Sequence, residues 1–181
     1  MENESEIDVK PSTIGTVNDS NVTITRSYSI KVDETVSDAF DTTSTIVPRG
    51  YMAAQSFTLS NNVDPWTCDK ISVRLKKVGT PSDSVKVELR SGGATPSATV
   101  LASDTIDAAD IYDTAMGWYE FDMGNTVSLT YGTTYWIVVS RTGSNNGQSY
   151  YEIAVDEDVP YANGALKVLS TDGSWYDRYT D

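Results

Sequence analysis

Histidine is absent from all 181 residues, and that absence removes whole classes of chemistry before any motif is read. Without an imidazole there is no Ser-His-Asp or Cys-His relay, no histidine general base and no histidine ligand for a catalytic zinc. The single cysteine, Cys68, excludes an intrachain disulfide, a thiolate metal cage and a CxxC redox pair. Its neighbours Trp66 and Ile71 mark it as a small buried side chain near the start of a strand. What remains is oxygen and aromatic chemistry, concentrated in three places. "VDEDVPYANG" supplies Asp156, Glu157 and Asp158, hard oxygen ligands of the type that hold a structural calcium, though without the EF-hand spacing. Calcium is the one cofactor this chain suggests, and with 26 acidic residues a chance Asp-Glu-Asp is ordinary. "SRTGSNNGQSYYE" brings together Asn145, Asn146, Gln148 and Tyr150, amides for sugar hydroxyls and an aromatic ring for a sugar face. The same residues also make a polar hairpin tip with Asn-Gly turn chemistry. Trp175 and Tyr176 follow an Asp-Gly turn and are the candidates for an aromatic surface patch, suited to a glycan or to a neighbouring subunit.

The charge balance narrows the partners. A net charge of −13 disfavours nucleic acid and anionic membrane, both of which need clustered Lys and Arg. Basic residues are scattered singly except at Arg74-Leu75-Lys76-Lys77, which reads as a solvated strand end. The longest apolar run, 135–139, is far too short to span a bilayer, so membrane insertion is not expected. "MENESEIDVK" is acidic and lacks an apolar signal core, so the chain as written is not expected to be a secretory precursor. A glycosidase needs only two well-spaced carboxylates. A chain this small without evident cleft-forming insertions is nonetheless expected to be non-enzymatic.

The elements that must position these residues are strands. "KISVRLKKVG" sends Ile71, Val73 and Leu75 one way and Ser72, Arg74 and Lys76 the other. "SVKVELRSGG" does the same with Val85, Val87 and Leu89 against Lys86, Glu88 and Arg90. Such period-2 alternation marks strands with one buried and one wet face. The intervening "VGTPSDS" is turn chemistry, which suggests a hairpin or close neighbours, with Arg74 and Lys76 pairing across to Glu88. "GWYEFDMG" places Tyr119, Phe121 and Met123 inward and Trp118, Glu120 and Asp122 outward. A short strand at 127–129, a turn at 131–133 and a longer strand at 134–140 follow. "SYYEIAVDED" alternates again with Tyr151, Ile153 and Val155 on one side, and "GALKVLST" and "SWYDRYT" close the chain. "TIDAADIYDTAMG" supplies either one helical turn around 108–112, capped by Asp107, or a loop. About ten residues per strand, with Gly, Pro, Asn and Asp between, predicts an all-β antiparallel sandwich.

Residues 1–47 differ in character. Residues 1–20 are polar and acidic like a flexible arm. Val22, Ile24, Tyr28, Ile30 and Val32 then share one parity, which predicts a strand over 22–32 with a single apolar face. That strand must lie against a sheet, its own or a neighbour's, and is a candidate inter-subunit connector. The sandwich domain is expected to occupy 48–181. Within it, "VSLTYGTTYWIVVS" sends Tyr135, Ile137 and Val139 into the core, while Trp136, Val138 and Ser140 face a surface that an edge, an arm or a partner must cover.

From about Met52 the order of phrases resembles a known module. Gln55-Ser56-Phe57, Leu75-Lys76-Lys77-Val78-Gly79, Pro96, Val100-Leu101-Ala102, Gly117-Trp118, Leu129, Gly132-Thr133-Thr134-Tyr135-Trp136, Pro160-Tyr161 and Gly173-Ser174-Trp175 carry the likeness. They resemble the jelly-roll-like β-sandwich modules of phage structural and tail proteins and prokaryotic surface proteins, of the choice-of-anchor R type. The resemblance implies a jelly-roll-like sandwich in a virion or at an extracellular surface. It also implies one further strand after "DGSWY", of the form Asp-Leu-x-Phe-x-x-Tyr, where this chain ends at Asp181. The strand at 22–32 would fill that gap or be donated to a neighbour. The expected function is therefore a structural subunit of a virion (decoration, tail or fibre) or of a surface filament, bound to copies of itself or to other surface proteins. The alternative is a module that binds a carbohydrate or cell-surface ligand.

Overall fold

The computed structural model describes residues 26–31, 45–46, 52–59, 66–143, 148–154, 164–170 and 172–177. Eleven strands run through them: β1 (Arg26–Lys31), β2 (Thr45–Ile46), β3 (Ala53–Thr58), β4 (Trp66–Val78), β5 (Val85–Gly92), β6 (Pro96–Ile106), β7 (Gly117–Leu129), β8 (Thr134–Arg141), β9 (Tyr150–Ile153), β10 (Leu166–Leu169) and β11 (Trp175–Asp177). They form two packed sheets, the all-β sandwich that the alternation predicts. One sheet has the order β11-β10-β3-β8-β5-β6. The other is built on β4, with β7 along one edge and β1 and β9 sharing the opposite edge; β2 lies outside β9.

The pairings explain how a simple alternating sequence wraps into two layers. β3 pairs with β8, β4 with β7 and β5 with β6, all antiparallel, so residues 53–141 form one long ribbon whose tip is the turn at 93–95. The ribbon is rolled so that its first and last rungs meet along β5 and β8, while the middle rung crosses to the other sheet. This is the wrapping of a jelly roll. The inward residues of both sheets, among them Ile71, Leu75, Val87, Leu89 and Phe121, are completely enclosed between the layers. Each such side chain stabilises the fold by roughly 1.5–3 kcal/mol.

Three local expectations change. β4 and β5 are not a hairpin, because the loop 79–84 carries the chain from one sheet to the other. Arg74 and Lys76 consequently never meet Glu88. Lys76 binds Glu152 of β9 at 2.8 Å, and the Glu88 carboxylate sits between Lys86, at 2.6 Å, and Arg90 of its own strand. Secondly, 117–129 is one strand: between Cys68 and Lys70 its register steps from Val127 to Asp122, a bulge that lets both expected pieces face β4. Thirdly, the helical turn is three residues of 3-10 helix, Ala108–Asp110, and Asp107 makes no side-chain cap. Its carboxylate accepts from the Ser84 hydroxyl at 2.6 Å, while Lys77 Nζ donates to the Ala108 carbonyl at 2.6 Å.

The run 127–140 also resolves. Tyr135, Ile137 and Val139 are buried between the sheets, as the alternation predicts. Trp136 and Val138 point the other way and are equally buried, forming a second cluster with Ala54 on the outside of the six-stranded sheet. Met52, Ala165 and Trp175 pack against that cluster. The Trp136 indole donates to the Gly93 carbonyl at 3.2 Å, which satisfies its one polar atom.

Candidate functional site

The loops 79–84 and 107–116 and residues 142–143 and 148–149 meet at one end of the sandwich, where β4, β6 and β8 end and β5, β7 and β9 begin. Arg141, the last residue of β8, reaches Asp83 with two parallel bonds, Nε to Oδ2 at 2.6 Å and Nη2 to Oδ1 at 2.5 Å. Its Nη1 donates to the Ser149 carbonyl at 3.0 Å, and its guanidinium lies 5.7 Å from the Tyr151 ring centroid. The Tyr151 hydroxyl donates to the Asp83 carbonyl, and the Gly143 amide donates to Asp83 Oδ2 at 3.0 Å. Both charged side chains are nearly enclosed, Arg141 at 6% and Asp83 at 11% exposure. Burial alone would raise the Asp83 carboxyl, but the Arg141 bonds and charge and the Gly143 amide outweigh it and hold it below the ordinary range. Burial pushes the Tyr151 phenol up to about 12. Both shifts move away from neutrality, Asp83 downward and Tyr151 upward. The cluster is a clip that fastens β8 of one sheet to β9 of the other.

Sequence analysis missed this clip, yet a signal was present. Arg141 continues the inward parity of Tyr135, Ile137 and Val139, and Asp83 continues that of Val85, Val87 and Leu89. Two strands that each extend an apolar face into an opposite charge are candidates to be neighbours, and Val85 does stand opposite Arg141.

Gly79 belongs to the same end and is held by geometry. Its φ is +71°, and a Cβ there would lie 2.3 Å from the Gln148 carbonyl oxygen. Gly132, at φ +70°, has open space around it. Gly79→Ala is expected to cost about 2 kcal/mol or more and Gly132→Ala about 1 kcal/mol. Urea unfolding of the two variants measures the difference, and equal losses would show that the Gln148 contact is not limiting.

The expected aromatic patch does not form one surface. Trp175 and Tyr176 are successive residues of β11 and project to opposite faces of the sheet. Trp175 is half-buried against the second cluster. Tyr176 is exposed, and its hydroxyl donates to Asp172 Oδ2 at 2.7 Å across the turn, which raises the phenol and lowers the carboxyl. Gln148 is exposed and Tyr150 half-buried beside Val78 in the other sheet. β11 lies three strands from β8, or about 14 Å, at the edge of the six-stranded sheet, and Tyr150 belongs to the other sheet, so Trp175 and Tyr150 are not brought together. Asn145 and Asn146 lie outside the described residues, as do Asp156, Glu157 and Asp158. Among the described residues no cluster of three or more Asp, Glu, His or Cys could hold a metal.

Of the candidate connector, Val22, Ile24 and Val32 lie outside the described residues, whereas Tyr28 and Ile30 stand in β1 opposite Cys68 and Ile71. β1 runs parallel to β4 and occupies its edge from Trp66 to Ser72, while β9 takes only Leu75 to Val78. The other long edges are protected differently. Where β6 and β7 come together, Asp104 accepts from the Thr105 amide at 2.7 Å and from the Asp122 amide of β7 at 2.8 Å. Beside β1, Thr67 carries a buried hydroxyl with no hydrogen-bond partner among the described residues. Cys68 is enclosed, and burial first, then the Asp69 charge, raise its thiol to about 11. Comparison with family models, with curated proteins and with solved structures finds no match, and the functional reading rests on these residues and their geometry.

Proposed function

We propose that this chain is a non-enzymatic assembly subunit of a virion or surface filament, held to its neighbours through its N-terminal arm and strand. The observation that carries the reading is the divided edge of β4. The rolled ribbon supplies a partner for one side of β4 along most of its length, but among the described residues after it only β9, four residues long, lies on the other side. The remaining edge is closed by β1, a strand outside the ribbon that makes no other described pairing. A strand addition of this kind uses backbone bonds for affinity and is a common way for one chain to complete another. The acidic surface suits the exterior of a particle. Binding of a glycan is the weaker reading, because Trp175 is half-buried against the second cluster and Tyr150 lies in the other sheet.

Light scattering on a sizing column, comparing the full chain with one beginning at Pro48, tests the proposal. The full chain is expected at a multiple of 19.7 kDa, and the shortened chain as a monomer or an aggregate. Two well-folded monomers would overturn it. A glycan screen in which Trp175→Ala abolishes binding would favour the other reading.

A further inference from the structure

Resting on that reading, we propose that the acceptor site is the β4 edge from Trp66 to Ser72, and that its occupant in the assembly is β1 of a second copy. The incoming strand keeps the parallel register seen within one chain: Arg26 opposite Trp66, Tyr28 opposite Cys68 and Lys31 opposite Ser72. The edge offers a row of backbone groups for which the described residues of the rolled ribbon hold no partner, and leaving such groups unpaired is costly. β1 meets that need through a single ladder, so its own removal breaks no other described strand pairing. A copy's β1 makes the same bonds at the same register, and exchange therefore costs little beyond association. Residues 32–44 join β1 to β2. A stretch of that length reaches up to about 45 Å when extended, more than the roughly 30 Å diameter of a small domain. Reciprocal exchange would give a dimer, and head-to-tail exchange an open chain of subunits.

The native cysteine makes this testable in the full chain. Tyr28→Cys places a second thiol opposite Cys68, and paired residues on adjacent strands stand about 5 Å apart, within disulfide range. The variant is oxidised with copper phenanthroline over a hundredfold range of protein concentration, then resolved on non-reducing gels with peptide mapping. The expected result is a 28–68 linkage in covalent dimers and larger species, in a share that grows with concentration. A 28–68 linkage confined to covalent monomers at every concentration would overturn the exchange, and absence of both the 28–68 linkage and a 27–67 linkage between Ser27→Cys and Thr67→Cys would overturn the acceptor site. If Tyr28→Cys does not fold, Ser27→Cys with Thr67→Cys in a Cys68→Ser background reads the adjacent register pair with the same outcomes. The two proposals fail separately. An oligomeric full chain with only intrachain linkage leaves the assembly reading standing and removes strand exchange, whereas monomeric full and shortened chains remove both.

Discussion

Arg141→Met is expected to lower the unfolding free energy by about 3 kcal/mol or more, a large share of the stability of a domain of this size. The loss is not chiefly that of the guanidinium's attraction. The substitution leaves the Asp83 carboxylate, 11% exposed in the wild type, with backbone amides of Gly143 and of Asp83 itself but no described cation, and an ion stranded in that way is far more costly than a pair removed together. It also removes the bond to the Ser149 carbonyl and the contact with the Tyr151 ring, two of the contacts that tie β8 to the opposite sheet. Replacing both partners, Arg141→Met with Asp83→Leu, is expected to restore part of the loss. Urea unfolding of the two single variants and the double variant gives the coupling directly. A single-variant loss below about 1 kcal/mol would show that the clip is solvated and structurally unimportant.

The same pair sets a pH dependence. The Asp83 carboxyl is held below its unfolded value of about 3.9. A depressed pKa contributes stability that is fully present above the unfolded value and is lost as pH falls through the folded one. Wild-type stability should therefore drop steeply below about pH 4, and Asp83→Asn should flatten that part of the curve while lowering stability near neutrality.

Trp136→Ala is expected to cost about 3–5 kcal/mol, as much as a substitution between the sheets. Trp136 is 1% exposed and lies against Ala54 and Val138, with Met52, Ala165 and Trp175 around them. The loss combines the transfer of a large ring with a void that a sheet face, anchored by ladders on both sides, cannot close. Trp136→Phe should retain most of the apolar contact and forfeit the bond to Gly93, a loss of about 1–2 kcal/mol. Chemical unfolding monitored by far-ultraviolet circular dichroism measures both. A loss under 1 kcal/mol for Trp136→Ala would mean that the outer face is wet and that the second cluster contributes little.

These two sites show how differently the sequence speaks about a sheet's two faces. Alternation in "SVKVELRSGG", "GWYEFDMG" and "TTYWIVVS" identifies the inward-facing residues of β5, β7 and β8, because successive side chains on a strand must point to opposite sides; it does not foresee that Glu88, on the outer face of β5, is also buried. The same alternation shows that Trp136 and Val138 share the other face, but it cannot show whether that face is wet. Their burial depends on Met52, Ala165 and Trp175, which are brought there by β3, β10 and β11 from distant parts of the chain. Trp175 and Tyr176 do not share one face for a related reason. Proximity to the Asp-Gly turn exposes Tyr176, yet neighbouring positions in a strand face apart and β11 joins the sheet at its far edge.

What the sequence by itself determined is the all-β class, the inward and outward parity of the strands, the removal of histidine and thiol chemistry, and the acidic surface. These are properties of composition and of a two-residue backbone period, and both are local. The tertiary structure alone decided which sheet each strand enters, that β4 and β5 part company, that Arg141 finds Asp83, and that β1 completes the edge of β4 in parallel. Those are pairings between residues far apart in the chain. A strand's pattern specifies the face it needs covered, whereas the partner that covers it is selected by how the whole ribbon rolls.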